Sequence, residues 1–153
     1  MNRIDAKLAE LNITLPPAPK PVGAYVAYVQ TGNLVFISGQ LPFKDGKLIK
    51  GTVPTAVTPE DAKTAARLAT LNAIAQLKDA CGGNLDRVWR IVRIGVFVQS
   101  SDGFEGQPAV ANGASELLVE VFGEAGKHAR AAVGTNALPL GAVVEVEVLA
   151  EIS

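Results

Sequence analysis

At 153 residues, 48% apolar and 19% charged, the chain is long enough to bury one core and has the composition of a soluble globular domain. Its 14 basic and 15 acidic side chains leave a formal charge of −1 with the signs interspersed, which argues against a surface built to neutralise phosphates. A single cysteine, Cys81, excludes an internal disulfide, and with a single histidine, His128, it leaves too few soft ligands for a typical zinc site.

The opening residues Met1-Asn2-Arg3-Ile4-Asp5 lack the apolar core of a signal peptide, and no apolar run approaches the length of a membrane span. The cytoplasm is therefore the expected compartment. Ile4, Leu8 and Leu11 recur at helical spacing and predict a short amphipathic helix over about residues 2–11. Pro16, Pro17, Pro19 and Pro21 then impose an extended connector, so residues 1–21 form an extension to a single domain spanning 1–153. Tyr25–Val29 and Asn33–Ser38 read as two strands joined by a turn at Thr31-Gly32-Asn33, and Asp45-Gly46 marks a further turn.

Thr58-Pro59-Glu60-Asp61 has the order of a helix start: a capping hydroxyl, proline at the first helical position, and acids at the positive end of the dipole. The helix stops at Gly82-Gly83. Ile91–Val98 is rich in β-branched residues and predicts a buried strand, with Val92, Ile94, Val96 and Val98 on one face. A second helix is expected from about Pro108 to Phe122, with Val110, Ala114, Leu117, Leu118 and Val121 as its buried stripe. Strands at Ala129–Thr135 and Val143–Ala150 complete the pattern.

Strands on either side of two helices predict an α+β sandwich, a mixed sheet with both main helices on one face. Alternation gathers Arg93, Arg130, Glu145 and Glu147 with Phe97, Ala132 and Gly134, and we assign this set to the opposite face. Such a face is either solvated or buried against another subunit, and periodicity alone does not choose. Arg130 reads equally well as a carboxylate-binding fork or as a partner for Glu145 or Glu147. Cys81, at a helix end, reads as a small buried hydrophobe.

In this order the segments resemble the Rid (YjgF/RidA-like, reactive intermediate deaminase) family, from about Val22 to the C-terminus. The likeness is carried by Val22-Gly23-Ala24-Tyr25, by Asn33–Pro42 with its Ser38-Gly39-Gln40, by Leu71–Ile74 and by Cys81-Gly82-Gly83. It continues through Leu85–Val88, Ala129-Arg130, Leu138-Pro139 and Val144–Glu147. The resemblance implies a chorismate-mutase-like fold and a homotrimer with sheets inward and three intersubunit clefts. It implies cofactor-free hydrolysis of 2-imino acids to 2-keto acids and ammonia; the charge balance and the lack of an apolar span make neither nucleic acid nor membrane an expected partner.

On this resemblance Arg130 holds the substrate carboxylate, Glu145 orients water and shuttles a proton, and Tyr25, Ser38, Gly39, Asn112 and Ala132 line the pocket. Tyr25 reads equally as a packing aromatic, Ser38-Gly39 as a strand-ending turn, Asn112 as a helix-start residue and Glu147 as a structural carboxylate paired with Arg93. The chain departs from the short members in its N-terminal helix, in a longer segment after Asn112, and at three positions. His128 stands where the family places proline before Ala-Arg, Ala132 where it often has cysteine, and Ser115 where it often has tyrosine. We assign His128 to a supporting or interface role. A carboxylate-sensing trimer is the alternative function; RNA cleavage is disfavoured by the near-neutral charge, and chorismate mutase chemistry by the shortage of placed cations.

Overall fold

The structure is a computed structural model and describes residues 2–153. Ten elements follow in chain order: α1 (Arg3–Glu10), β1 (Tyr28–Thr31), β2 (Leu34–Gln40), β3 (Phe43–Lys44), β4 (Lys47–Leu48), α2 (Pro59–Ala80), β5 (Val88–Gln99), α3 (Gln107–Phe122), β6 (Ala129–Thr135) and β7 (Val144–Ile152). Five strands make one mixed sheet in the order β1-β2-β7-β5-β6, with only β5 and β6 parallel, and β3 and β4 form a separate hairpin. The α2 and α3 helices cover one face of the sheet, the α+β arrangement expected. Among the described residues no helix is long and apolar enough to cross a membrane.

Local chemistry sets most of the boundaries. The Thr58 hydroxyl accepts from the Asp61 N–H and Pro59, which has no N–H, opens α2, so two of the unpaired donors that a helix start would leave are removed. Gly82 and Gly83 adopt φ of 63° and 93° and end it. Along α3 the predicted stripe Val110, Ala114, Leu117, Leu118 and Val121 is buried, each leucine contributing about 1.5–3 kcal/mol by leaving water. Gly113 lies against the Lys63 carbonyl, where a Cβ would not fit, so the two helices approach closely. The α1 helix adds Ile4 and Leu8 to the same core, and the Asp86 carboxylate accepts from the Arg3 and Ile4 N–H groups at its start. Those two bonds hold the Asp86 carboxyl below its ordinary range.

Three sequence expectations shift. The first strand starts at Tyr28, not Tyr25, because Val22–Tyr25 folds on itself, with the Val22 N–H donating to the Tyr25 hydroxyl. In β5, Ile91 pairs with Ala150 and Arg93 with Leu149, so Val92 is the extra residue of a β-bulge. Ile91 therefore takes the core position expected for Val92. The third shift is the most consequential. In the parallel pairing Ile94 stands opposite Arg130 and Val96 opposite Ala132, so Arg130, Ala132 and Gly134 point to the helix side. They do not share a face with Arg93, Glu145 and Glu147, as alternation alone implied.

Candidate functional site

Two groups of polar side chains stand on opposite faces of the sheet. The first lies where β2 meets β7. Ile37 pairs with Val148 and Gln40 with Val146, so Ser38 and Gly39 sit in a bulge beside the start of β7. The Ser38 hydroxyl donates to the Val26 carbonyl at 2.7 Å, which leaves its lone pairs as the free chemistry. Tyr25, half of it exposed, lines a hollow with Pro19, Ala27, Gly39 and Gln40.

The Glu145 side chain rests directly on Gly39, in space that any Cβ would fill. It is half-buried, and burial raises its carboxyl above the ordinary range, with the negative charge of Glu147 pushing the same way. A carboxylate so placed is poised to take up a proton. Glu147 packs over Gly95 and pairs with Arg93 at 3.4 Å, the structural pairing offered for it in the sequence. Both partners are 46% exposed, so the pair adds little stability.

Gly39→Ala follows from this geometry as a test. The nearest atoms in the way of a new Cβ all belong to the Glu145 side chain, and Gly39 has no positive φ to protect. The thermal midpoint should therefore barely move while the carboxylate is displaced by about an ångström, a scale of misplacement that costs on the order of 10²-fold in turnover. Steady-state rates beside a melting curve read the two effects separately.

The second group is built by α3 and the edge strand β6. Arg130 Nη1 donates to Asn112 Oδ1 at 2.8 Å and to Ser115 Oγ at 3.0 Å, and Nη2 donates to the Pro108 carbonyl at 3.4 Å. Positions 108, 112 and 115 share one face of a helix, which is why α3 offers three oxygens in a row. Ser115 Oγ lies 2.8 Å from His128 Nε2, and His128 Nδ1 lies 2.6 Å from the Gly126 carbonyl oxygen. Ala132 follows on the same side of β6 and packs against the core.

All three of the guanidinium's acceptors are neutral. Among the described residues Arg130 makes no ion pair, so the alternative of a pairing with Glu145 or Glu147 of its own chain falls. Its charge is uncompensated and its side chain is exposed. Asn112 serves Arg130 within its own chain. The part played by Ser115 and by the Gly126 carbonyl was not anticipated; the signal was the helical spacing of Pro108, Asn112 and Ser115.

A single chain does not bring Arg130 and Glu145 together. They face opposite sides of the sheet, and β5 separates their strands, a lateral gap of about 10 Å at two strand spacings.

Comparison with known proteins agrees with this architecture. Residues 5–152 match the family described as "YjgF/chorismate_mutase-like, putative endoribonuclease", a span that takes in most of α1. The chain is 46% identical over 153 residues to Protein TCP17 of Trypanosoma cruzi, covering 99% of this chain and 95% of that protein. It is 29% identical over 137 residues to a Dermatophagoides farinae protein named 2-iminobutanoate/2-iminopropanoate deaminase, covering 88% of this chain and 91% of that one. A crystal structure from Shewanella oneidensis, titled as a putative endoribonuclease, superposes with a TM-score of 0.95 at 37% identity, over 99% of this chain and 100% of the other. With a family match over nearly its whole length and the same sheet and helices in a solved relative, the chain belongs to the YjgF/RidA-like family.

Proposed function

We propose that this protein hydrolyses 2-imino acids to 2-keto acids and ammonia, at sites that two neighbouring copies build together in a homotrimer. One observation carries the reading: a free arginine charge and a desolvated carboxylate lie on opposite faces of one sheet. Each is half of a site for a carboxylate-bearing electrophile, and a second copy supplies the other half. The relative named as a 2-iminobutanoate/2-iminopropanoate deaminase supports the substrate class.

In this reading the planar fork of Arg130 receives the substrate carboxylate. Glu145 takes a proton from the water that adds to the C=N carbon. It gives that proton to nitrogen, forming a carbinolamine, then carries the hydroxyl proton of that intermediate to the same nitrogen, and the C–N bond breaks as the carbonyl forms, releasing ammonia. Gly39 borders the carboxylate of Glu145, with Ser38 beside it in the bulge and Tyr25 across the adjoining hollow, while Asn112 and Ala132 border Arg130.

The sheet face away from the helices supports assembly. Val29, Phe36 and Val133 are 54%, 45% and 47% exposed there, interleaved with the Arg93–Glu147 pair. An apolar face of this kind, carrying its own matched charges, suits burial against a copy of itself. Light scattering at micromolar concentration should give three times the 15.9 kDa chain mass. A monomer mass would remove the shared site and the mechanism with it.

The reaction itself is tested with imines generated in situ by an amino-acid oxidase, in competition with a nucleophilic trap. The protein should divert imine from the trap to keto acid. A protein that never outpaces spontaneous hydrolysis, across small, branched and aromatic imines, would leave carboxylate sensing as the better account of Arg130.

A further inference from the structure

We propose that Ser115 and His128 are positioning residues that hold Arg130 so that the substrate carboxylate arrives on its Nε–Nη2 edge. The assignment rests on the carboxylate-binding role given to Arg130 above and fixes how that role is carried out.

With a neutral His128 ring the hydrogen bonds have one self-consistent direction. The Gly126 carbonyl can only accept, so His128 Nδ1, at 2.6 Å, carries a hydrogen. In the neutral ring Nε2 is then the acceptor, and the Ser115 hydroxyl at 2.8 Å donates to it. With its hydrogen committed to the imidazole, Ser115 Oγ presents lone pairs to Arg130 Nη1 at 3.0 Å. The anchor of this chain is firm: Gly126 is buried against the Leu118 carbonyl with no room for a Cβ, so its own carbonyl is fixed relative to α3.

Nη1 has two hydrogens, and Asn112 and Ser115 take both. That closes the end-on fork formed by Nη1 and Nη2. The side-on edge is left, where Nε and the second Nη2 hydrogen can reach two carboxylate oxygens in parallel. Without the Ser115 contact Nη1 regains a hydrogen, and the guanidinium is held only by Asn112 and the Pro108 carbonyl. The carboxylate then meets a less firmly oriented cation on an edge strand.

Calorimetry with 2-oxobutanoate and nitrogen NMR of the imidazole test this on the full chain. His128 is the single histidine, so its ring gives one assignable set of signals. We expect the Nδ1–H tautomer in wild type, with ring signals that shift as 2-oxobutanoate binds. Ser115→Ala should weaken binding about fivefold, the worth of one hydrogen bond, with an unchanged melting midpoint. Ser115→Thr, which keeps the hydroxyl, should recover it. An Nε2–H tautomer, or Ser115→Ala binding with wild-type affinity while Arg130→Lys is weakened, overturns the positioning role and leaves the carboxylate site standing. Wild-type protein that binds no 2-keto acid overturns both.

Discussion

Glu145→Gln should bind 2-keto acids nearly as wild type does, yet lose about 10²–10⁴-fold in imine hydrolysis. Glutamine keeps the length of the side chain and still fits over Gly39, but its amide cannot take the proton of the attacking water. The cost therefore appears in turnover and not in product affinity. The pH dependence points the same way. Burial, then the charge of Glu147, raises the Glu145 carboxyl, so the ionised base should be lost on acidification at a higher pH than an ordinary glutamate would show.

The stability effect has the opposite sign. A carboxyl whose folded-state affinity for protons exceeds that of the unfolded chain loses stability as pH rises from its unfolded value through its folded one. At neutral pH the ionised Glu145 thus strains the fold, and Glu145→Gln should melt at or slightly above the wild-type temperature. Lower activity with undiminished stability is the mark of a residue kept for chemistry. A variant that hydrolyses imines at the wild-type rate would remove Glu145 from the mechanism.

How far the sequence went depended on whether a signal was local. Thr58-Pro59 and Gly82-Gly83 bracket α2 through capping and left-handed glycines, both readable in a few residues. The strand Ala129–Thr135 was placed to the residue because Gly126 and Leu138-Pro139 punctuate it. What alternation could not supply was a sign. It told that Arg130, Ala132 and Gly134 share a side of β6, but not which side. That was decided by the register against β5, which sets Arg130 beside the buried Ile94. The bulge at Val92 was hidden for a related reason: one extra residue inverts the alternation, and every residue around it is β-branched or charged either way.

The same limit shaped the candidate site. Glu145 was legible because its neighbours Val144 and Val146 are apolar and fix its face. The Arg130 network was not, since Ser115, His128 and the Gly126 carbonyl come from two elements whose meeting is a matter of tertiary packing. Gly39 and Gly95 look alike in the sequence as strand glycines. Only the structure shows that each makes room for a different glutamate.

Arg130→Lys should weaken 2-oxobutanoate binding by on the order of tenfold to a hundredfold, the range for losing hydrogen bonds to a charged group. Lysine keeps the charge on one nitrogen. That ammonium would be drawn among Asn112 Oδ1, Ser115 Oγ and the Pro108 carbonyl and has no second nitrogen to offer a ligand. Unchanged calorimetric affinity would place the carboxylate elsewhere. The sharper test uses the placement of the two residues on opposite faces of the sheet. If each site takes Arg130 from one copy and Glu145 from the next, Arg130→Ala and Glu145→Gln chains fail separately but repair one another when refolded together. A mixed trimer then holds one site with both native residues, and random assembly of equal amounts leaves about a quarter of wild-type activity. A site contained within one chain gives no recovery at any mixing ratio, because every chain carries one of the two lesions.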